Sequence, residues 1–261
     1  PQAQGNSRGV AFGAEGKPLK IVLHNAQGVL SQLLLKDVSG GAYLGEAWLD
    51  VAGSFFAGDM DIGSGGLVNI LARGGSITMD SLRVEEEGAL VAHLAHGDWT
   101  LGSALVEGLA RVMLQRGSLL AASPASVFRI GPTGQVTLTL GEGDVTFGLL
   151  ELEEQDGLRG VLTLTLSKGH VTLGEAQING AATFNLYEGN MGMATPDAPF
   201  HIGPAGSLTL NMLKGSAALG TLSVDAGGML MAVLEEGDVD LASAAILGEA
   251  TIILNHGDMG L

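Results

Sequence analysis

The sequence contains no cysteine, few aromatic residues and few charged residues. Without cysteine the chain can form neither a disulfide framework nor a thiolate metal site. Only 4% of its residues are aromatic and 15% are charged, whereas 46% are hydrophobic. Disordered chains combine low hydrophobicity with high charge, so this composition excludes that class. No apolar run approaches the roughly 18 residues that a membrane-spanning helix requires, so we expect no membrane span.

Basic residues are scarce as well. The chain has 12 lysines and arginines against 28 acidic residues, a net charge of −16. Proteins that bind nucleic acid present a basic face, so we expect no nucleic-acid partner. The sequence begins at Pro1 without an apolar signal segment, as would either a processed, exported chain or an excised fragment.

Glycine is abundant, at 42 of 261 residues, and it marks an internal repeat. Four units open with a bulky residue followed by Gly-x-x-Gly, at residues 12, 62, 130 and 202. Two further signatures follow in each unit, an LGEA-like segment and a closing glycine with its polar and apolar neighbours. These markers predict super-repeats at about 12–61, 62–129, 130–201 and 202–261, preceded by an N-terminal extension at 1–11.

A shorter period lies within the units. Glycine followed by a small polar and then an apolar residue recurs from residue 75 to residue 257, at steps of 20–26 residues. The intervening segments alternate apolar and polar residues, as in 136–140 and 162–166, which is typical of strands with one buried face. We therefore predict an all-β fold: a single β-solenoid (parallel β-helix) domain at 12–261, with about ten coils of 20–26 residues.

Segment 103–116 tests this prediction, because its apolar spacing also fits an amphipathic helix. The repeat aligns it with 175–188 and 243–256, which carry the threonine, isoleucine and internal glycine typical of strands rather than helices. We therefore predict a strand here as well.

The coil length and the glycine-rich alternation resemble the β-helical passenger regions of exported bacterial adhesins of the filamentous-haemagglutinin and autotransporter kind. The resemblance covers most of the chain. It implies a structural or adhesive protein that is exported and is extracellular or attached to the cell surface.

Some β-helical proteins act on polysaccharides through acidic groups on neighbouring coils. Acidic residues cluster here at 85–87, 151–156 and 235–238, and two carboxylates about 5–10 Å apart could serve a glycosidase. The clusters adjoin glycine corners, however, and sugar clefts also need aromatic side chains. We therefore interpret the clusters as solvated corners and expect no catalytic site and no enzyme activity.

Calcium is the cofactor that the sequence leaves open. The position after each coil glycine is occupied by Ser76, Asp98, Ser118, Asp144, His170, Asn190, Ser216, Asp238 and Asp258. A cation-binding ladder would be filled with carboxylates, whereas neutral residues dilute this column. We expect no cofactor, with weak calcium binding at Asp238 and Asp258 as the alternative. His93 and His96 are poor co-ligands, because strand residues three apart point to opposite faces.

Apolar residues occupy more positions than a lone solenoid core needs. Such segments include 33–35, 55–56, 229–231 and 252–254, and they suggest that outer faces meet another subunit. We interpret the following methionines as core filling: Met60, Met191, Met193, Met212, Met229 and Met231.

Neither terminus resembles the polar cap that solenoid ends require. The closing signature of one chain, followed by the start of a second copy, nearly reproduces the internal repeat spacing. The sequence therefore predicts a homopolymer that stacks head to tail, and lateral contacts between copies are open. The expected assembly interface comprises Val10, Phe12, Ile252, Leu254, Met259 and Leu261.

Three functional classes are compatible with the sequence. The expected one is a structural subunit of an extracellular filament, fibre or sheath. An adhesin module, intact or cut from a longer repetitive protein, would bind a host or carbohydrate ligand through loops such as 121–126. A polysaccharide-active enzyme would depend on acidic residues such as Glu153 and Asp156.

Overall fold

The structure, a computed structural model, describes residues 10–11, 19–23, 28–35, 46–51 and 53–260. Within these ranges it contains strands and no helix. The chain winds into a β-solenoid of about ten turns, because each strand of the two main sheets pairs in parallel with a strand one turn away. Leu109 pairs with Gln135 and Val161 with Ala181, so the turns are 26 and 20 residues long. The predicted fold class is confirmed.

The first sheet has sixteen strands in the described residues. They are β1 (Val10–Ala11), β3 (Gly28–Leu35), β5 (Phe55–Ile62), β7 (Ile77–Val84), β9 (Trp99–Val106), β11 (Leu119–Ala121), β12 (Val127–Ile130), β14 (Val145–Leu152), β18 (Val171–Ile178), β20 (Met191–Met193), β21 (Pro199–Ile202), β23 (Ala217–Ala218), β24 (Thr221–Val224), β26 (Val239–Asp240), β27 (Ser243–Ile246) and β29 (Met259–Gly260). Strand β9 pairs with β11 through its first half and with β12 through its second half, so this sheet forms two sides of each coil.

The second sheet forms the remaining side and has eleven strands in the same part of the chain. They are β2 (Leu19–Leu23), β4 (Glu46–Val51), β6 (Leu67–Ala72), β8 (Ala89–Leu94), β10 (Leu109–Arg116), β13 (Gln135–Glu142), β17 (Val161–Lys168), β19 (Ala181–Glu188), β22 (Ser207–Lys214), β25 (Met229–Glu236) and β28 (Glu249–Leu254). A short antiparallel hairpin, β15 (Glu154–Gln155) and β16 (Leu158–Arg159), projects between β14 and β17.

One hydrophobic core runs along the solenoid axis. Because side chains alternate across a strand, every second residue points inward and stacks on its counterpart in the next coil. Leu138, Leu164, Phe184 and Leu210 form one such buried column. Each large apolar side chain buried in this way stabilises the fold by about 1.5–3 kcal/mol.

Segment 103–116 lies in strands β9 and β10, so the predicted strand is confirmed and the helix is excluded. Gly108 makes the turn between the two strands. A Cβ atom there would collide with the backbone oxygens of Glu85 and Gly88 in the preceding coil. The residue in this position must therefore lack a side chain.

The prediction that all six methionines fill the core is partly wrong. Met60, Met191 and Met212 are buried and Met193 is partly buried, but Met229 and Met231 are 49% and 42% exposed. Their strand, β25, turns the alternate residues Leu230, Ala232 and Leu234 into the core. The side chains of Met229 and Met231 therefore fall on the outer face.

Two proline-containing loops leave the coils, and the first of them is the loop that the sequence predicts at 121–126. Residues 122–126 connect β11 to β12, and residues 194–198 connect β20 to β21. The boundaries of the super-repeats and of the N-terminal extension stay predictions. In the part of the chain described here, no helix has the length and apolarity to cross a membrane.

Candidate functional site

A ladder of hydrogen bonds follows one corner of the solenoid, where a glycine with positive φ turns the chain in each coil. Gly169 has a φ of 140° and Gly189 a φ of 148°. From Gly97 to Gly237, the side chain of the residue after the corner glycine accepts a hydrogen bond from the backbone N–H of its counterpart in the next coil. Asp144 Oδ1 accepts from the N–H of His170 at 2.8 Å, and His170 Nδ1 accepts from the N–H of Asn190 at 3.2 Å. We call this column the acceptor ladder; its members are Asp98, Ser118, Asp144, His170, Asn190, Ser216, Asp238 and Asp258.

The acceptor ladder gives the mixed composition of this column a physical cause. Carboxylates, hydroxyls, amides and neutral imidazole differ in charge, but each can accept a hydrogen bond. In the sequence alone, neutral residues only dilute the carboxylates of this column. The shared acceptor property was visible in the sequence, but its partner, a backbone N–H one coil away, was not.

A second column lies immediately before the corner glycines and alternates in charge. Register pairing joins Arg116 to Glu142, Glu142 to Lys168, and so on along six consecutive strands of the second sheet. We call this column the charge row; its members are Arg116, Glu142, Lys168, Glu188, Lys214 and Glu236. All six are exposed, and the Arg116–Glu142 and Lys214–Glu236 pairs approach to 3.6 and 3.9 Å. Exposed pairs contribute at most about 1 kcal/mol each.

The last described coil leaves part of the core uncovered. Ala250, Ile252 and Leu254 point inward from β28 and pack against the core, but they are only partly buried. Within the described residues β28 pairs with β25 alone. The backbone groups along its other edge therefore have no strand partner there. Nearby, Leu247 is 78% exposed.

The six predicted interface residues are distributed as follows. Ile252 and Leu254 lie together on β28, and Met259 is 49% exposed on β29. Val10 lies on β1, at the opposite end of the first sheet from β29. Phe12 and Leu261 lie outside the described residues.

The two calcium candidates are consecutive members of the acceptor ladder. Asp238 Oδ1 accepts the backbone N–H of Asp258 at 2.8 Å, and both residues are exposed. Calcium takes six to eight oxygen ligands, of which two carboxylates supply only a part. Across residues 49–51 and 53–260, no group of three or more histidine, aspartate or glutamate side chains is arranged to hold a metal.

The central acidic cluster contains a shared ion pair. Arg129 Nε donates to Glu151 at 2.6 Å and lies 3.4 Å from Glu153. The hydrogen bond to Glu151 raises the pKa of Arg129, and the charges of both glutamates act in the same direction against a lowering by partial burial. The guanidinium therefore stays charged throughout the neutral range. Asp156 lies apart, exposed in the β15–β16 hairpin.

The outer face of the second sheet carries a shallow depression lined by Asn185, Tyr187, Asn211 and Leu213. Asn211 Nδ2 donates to Asn185 Oδ1 at 2.9 Å, so the two amides form a short ladder across neighbouring coils. His93 lies on the same face and contacts Gln115 at 3.1 Å through Nε2. His96 lies beyond the end of strand β8, so the two histidines are not brought together on one strand face.

Comparison with protein-family models, with curated proteins and with solved structures finds no match to this chain. The β-solenoid fold therefore rests on the structure itself, and the resemblance to filamentous-haemagglutinin or autotransporter adhesins stays a prediction.

Proposed function

We propose that this protein is a structural subunit of an extracellular or cell-surface filament, fibre or sheath, in which solenoids of identical chains stack head to tail. The observation that supports the proposal best is the half-covered core of the last coil, at Ala250, Ile252 and Leu254. A further coil placed on this end would bury these side chains and would pair the open edge of β28. Strand addition of this kind supplies main-chain hydrogen bonds together with apolar burial.

The direction of the acceptor ladder supports the same arrangement. Each ladder side chain from Asp98 to Asp238 accepts from the coil that follows, whereas the carboxylate of Asp258, the last member, accepts no hydrogen bond within the described residues. An N–H from a stacked copy would extend the ladder. At the other end β1 and β2 pair only with β3 and β4, so among the described strands each sheet has an unpaired edge there to which a strand of another copy could add. Such a contact joins different surfaces and does not close, so it generates a filament.

Two substitutions on β28 test the proposal. Ile252→Lys places a charge on the partly buried inner side, whereas Ile253→Lys places the same charge on the outer side, where Ile253 is already 43% exposed. We expect the wild-type chain and Ile253→Lys to form rods whose length grows with concentration in negative-stain images. We expect Ile252→Lys to give short rods only.

Circular dichroism shows whether both variants keep the β-fold. Short rods of uniform length from the wild-type chain at high concentration would contradict head-to-tail stacking. Equal loss of length in both variants would show that the inner side of β28 has no special part in assembly.

A further inference from the structure

The outer face of the second sheet carries exposed apolar side chains among threonines, asparagines and other polar residues. Most of the exposed large hydrophobic side chains of the described chain lie on it, the largest exposures being those of Met113, Tyr187, Leu213, Met229, Met231 and Ile253. Exposed apolar side chains gathered on one face favour an interface with another molecule. The strands from β8 to β28 give the face a length of roughly 35 Å and a width of roughly 23 Å, from the usual strand spacing and rise. Its area of about 800 Å² matches one side of a standard protein interface.

The charge row follows the solenoid corner that borders this face, one residue beyond the last outward-pointing position of each strand, and its order determines which partner fits. The row begins with a positive charge at Arg116, alternates in sign and ends with a negative charge at Glu236. The same row read in the opposite direction therefore has the opposite sign at each of its six positions. A second copy in reversed orientation therefore presents an opposite charge to each member of the row. With the two rows in full register, the row is complementary to itself only when it is reversed.

We propose that two copies of this chain pair laterally through the outer faces of their second sheets, with antiparallel solenoid axes. The two-fold axis lies along the strand direction between β17 and β19, because this rotation places the same edges of the two faces together. Lys168 of one copy then faces Glu188 of its partner, and Glu142 faces Lys214. Rotation about the solenoid axis would instead place the two charge rows on opposite edges, where they could not meet.

The column next to the charge row is complementary in size in this arrangement. Gly141, Ser167, Tyr187 and Leu213 occupy this column in four consecutive coils. The two-fold axis sets Tyr187 against Ser167 and Leu213 against Gly141. Each large exposed side chain therefore meets a small residue of the partner.

The following column is complementary in hydrogen bonding. Thr139, Thr165, Asn185 and Asn211 are in register along it. Across the two-fold axis Thr165 faces Asn185, and Thr139 faces Asn211. Amides and hydroxyls both donate and accept, so these polar groups have partners when the face is buried.

This contact goes beyond the proposed head-to-tail stacking and does not depend on it. It is isologous and closed, so it doubles the width of a rod, whereas stacking increases its length. The experiments use the Ile252→Lys variant as their background, so that only lateral pairing is measured.

Charge reversal at the centre of the row provides the first test. Glu188→Lys sets two lysines against each other across the two-fold axis, and Lys168→Glu sets two glutamates against each other. We expect each variant to dimerise more than about tenfold more weakly in sedimentation equilibrium. An equimolar mixture of the two restores opposite charges at both contacts, so we expect it to recover the dimer. Asp80→Lys, an exposed site on the first sheet, is the matched control and leaves dimerisation unchanged.

The absence of cysteine makes a test of orientation simple. Gln115 faces Glu235 across the proposed axis, so a mixture of Gln115→Cys and Glu235→Cys chains forms a covalent dimer with a short bis-maleimide. Neither variant does so alone. A monomeric background protein at all concentrations, a mixture of charge variants that stays monomeric, or a cross-link from Gln115→Cys alone would each overturn the proposal.

Discussion

The backbone N–H of Asn190 donates to Nδ1 of His170 across a coil boundary, at 3.2 Å. An imidazole nitrogen here takes the place that a carboxylate, hydroxyl or amide oxygen takes at the other corners. The acceptor ladder therefore requires a lone pair within reach of the backbone N–H of the next coil, and several residue types can supply it. It also requires Nδ1 of His170 to carry no proton.

The role of His170 predicts a difference between two replacements. His170→Ala removes the acceptor and we expect it to lower the free energy of unfolding by about 0.5–1 kcal/mol, the usual net value of one hydrogen bond. His170→Asn keeps an acceptor of the kind that Asn190 supplies in the next coil, so we expect little loss. Urea unfolding of both variants provides the measurement. Equal destabilisation by the two would show that the ring stabilises the corner by packing instead.

The same hydrogen bond predicts the tautomer of His170. Because Nδ1 accepts from a backbone N–H, the neutral ring must carry its proton on Nε2. Long-range ¹H–¹⁵N correlation spectra distinguish the two tautomers by the chemical shifts of the ring nitrogens. A neutral ring protonated on Nδ1 would contradict the ladder at this position.

Two glycines in one coil predict opposite responses to alanine. Gly189 has a φ of 148°, and a Cβ atom there would collide with the backbone oxygen of Gly169. Gly192, three residues later, has a φ outside the left-handed region, and its nearest neighbour would be the Cβ of Ala218 at 4.0 Å. We expect Gly189→Ala to lower the free energy of unfolding by at least about 2 kcal/mol, since strained backbone alone costs about 1–3 kcal/mol. We expect Gly192→Ala to be neutral or slightly stabilising.

Chemical denaturation of these two variants under the same conditions checks the prediction. If Gly189→Ala were as stable as the wild-type chain, neighbouring coils would have to separate at this corner without cost. The close stacking that defines the acceptor ladder would then be wrong.

The sequence predicted the coil because the glycine that turns the backbone recurs once in each coil. Gly169 and Gly189 both have positive φ and both begin a new rung of the ladder. The alternation of residues such as Leu162 and Leu164 was equally informative, because burial on one side of a strand has a period of two. Both signals involve residues that are close together in the sequence, so they can be recognised even though the coil length varies.

The features that could not be predicted from the sequence depend on the register between neighbouring coils. The charge row and the acceptor ladder join residues 20–26 positions apart, and the coil length varies from one turn to the next. Met229 and Met231 were assigned to the core because hydrophobicity alone does not reveal which phase of the alternation faces inward. The β15–β16 hairpin was interpreted as an acidic corner, although positive φ at Asp156 and Gly157 fits the Asp-Gly turn typical of hairpins.

The calcium alternative predicts a measurable effect of one substitution. If Asp238 and Asp258 bound calcium, the cation would raise the thermal unfolding midpoint of the wild-type chain by favouring the folded state. Asp258→Asn would reduce that increase. Because Asp238 already accepts the N–H of Asp258, we expect millimolar calcium to shift both proteins equally and by little. A selective shift of the wild-type chain, reversed by a chelator, would instead establish the site.

The raised pKa of Arg129 predicts how its ion pair depends on pH. A cation with a raised pKa stabilises the folded state below that pKa, and the contribution is lost as the pH rises through it. For Arg129 this loss falls above the range in which proteins are usually studied. In the Arg129→Lys variant the cation is a lysine, so the stabilising contribution is lost near the ordinary lysine pKa of about 10.4. We therefore expect the stability difference between wild type and Arg129→Lys to widen between about pH 9 and 11.5, by less than about 1 kcal/mol because the pair is partly exposed.

Arg129→Gln is the control for this measurement, because it removes the charge at every pH. Its difference from the wild-type chain should stay constant over the same interval, whereas the smaller difference of the lysine variant should rise towards that constant value. Urea unfolding at a series of pH values provides both curves, and titration of the other lysines cancels in the differences. A constant difference for Arg129→Lys would mean that the contact with Glu151 and Glu153 acts through hydrogen-bond geometry, which a lysine lacks at any pH.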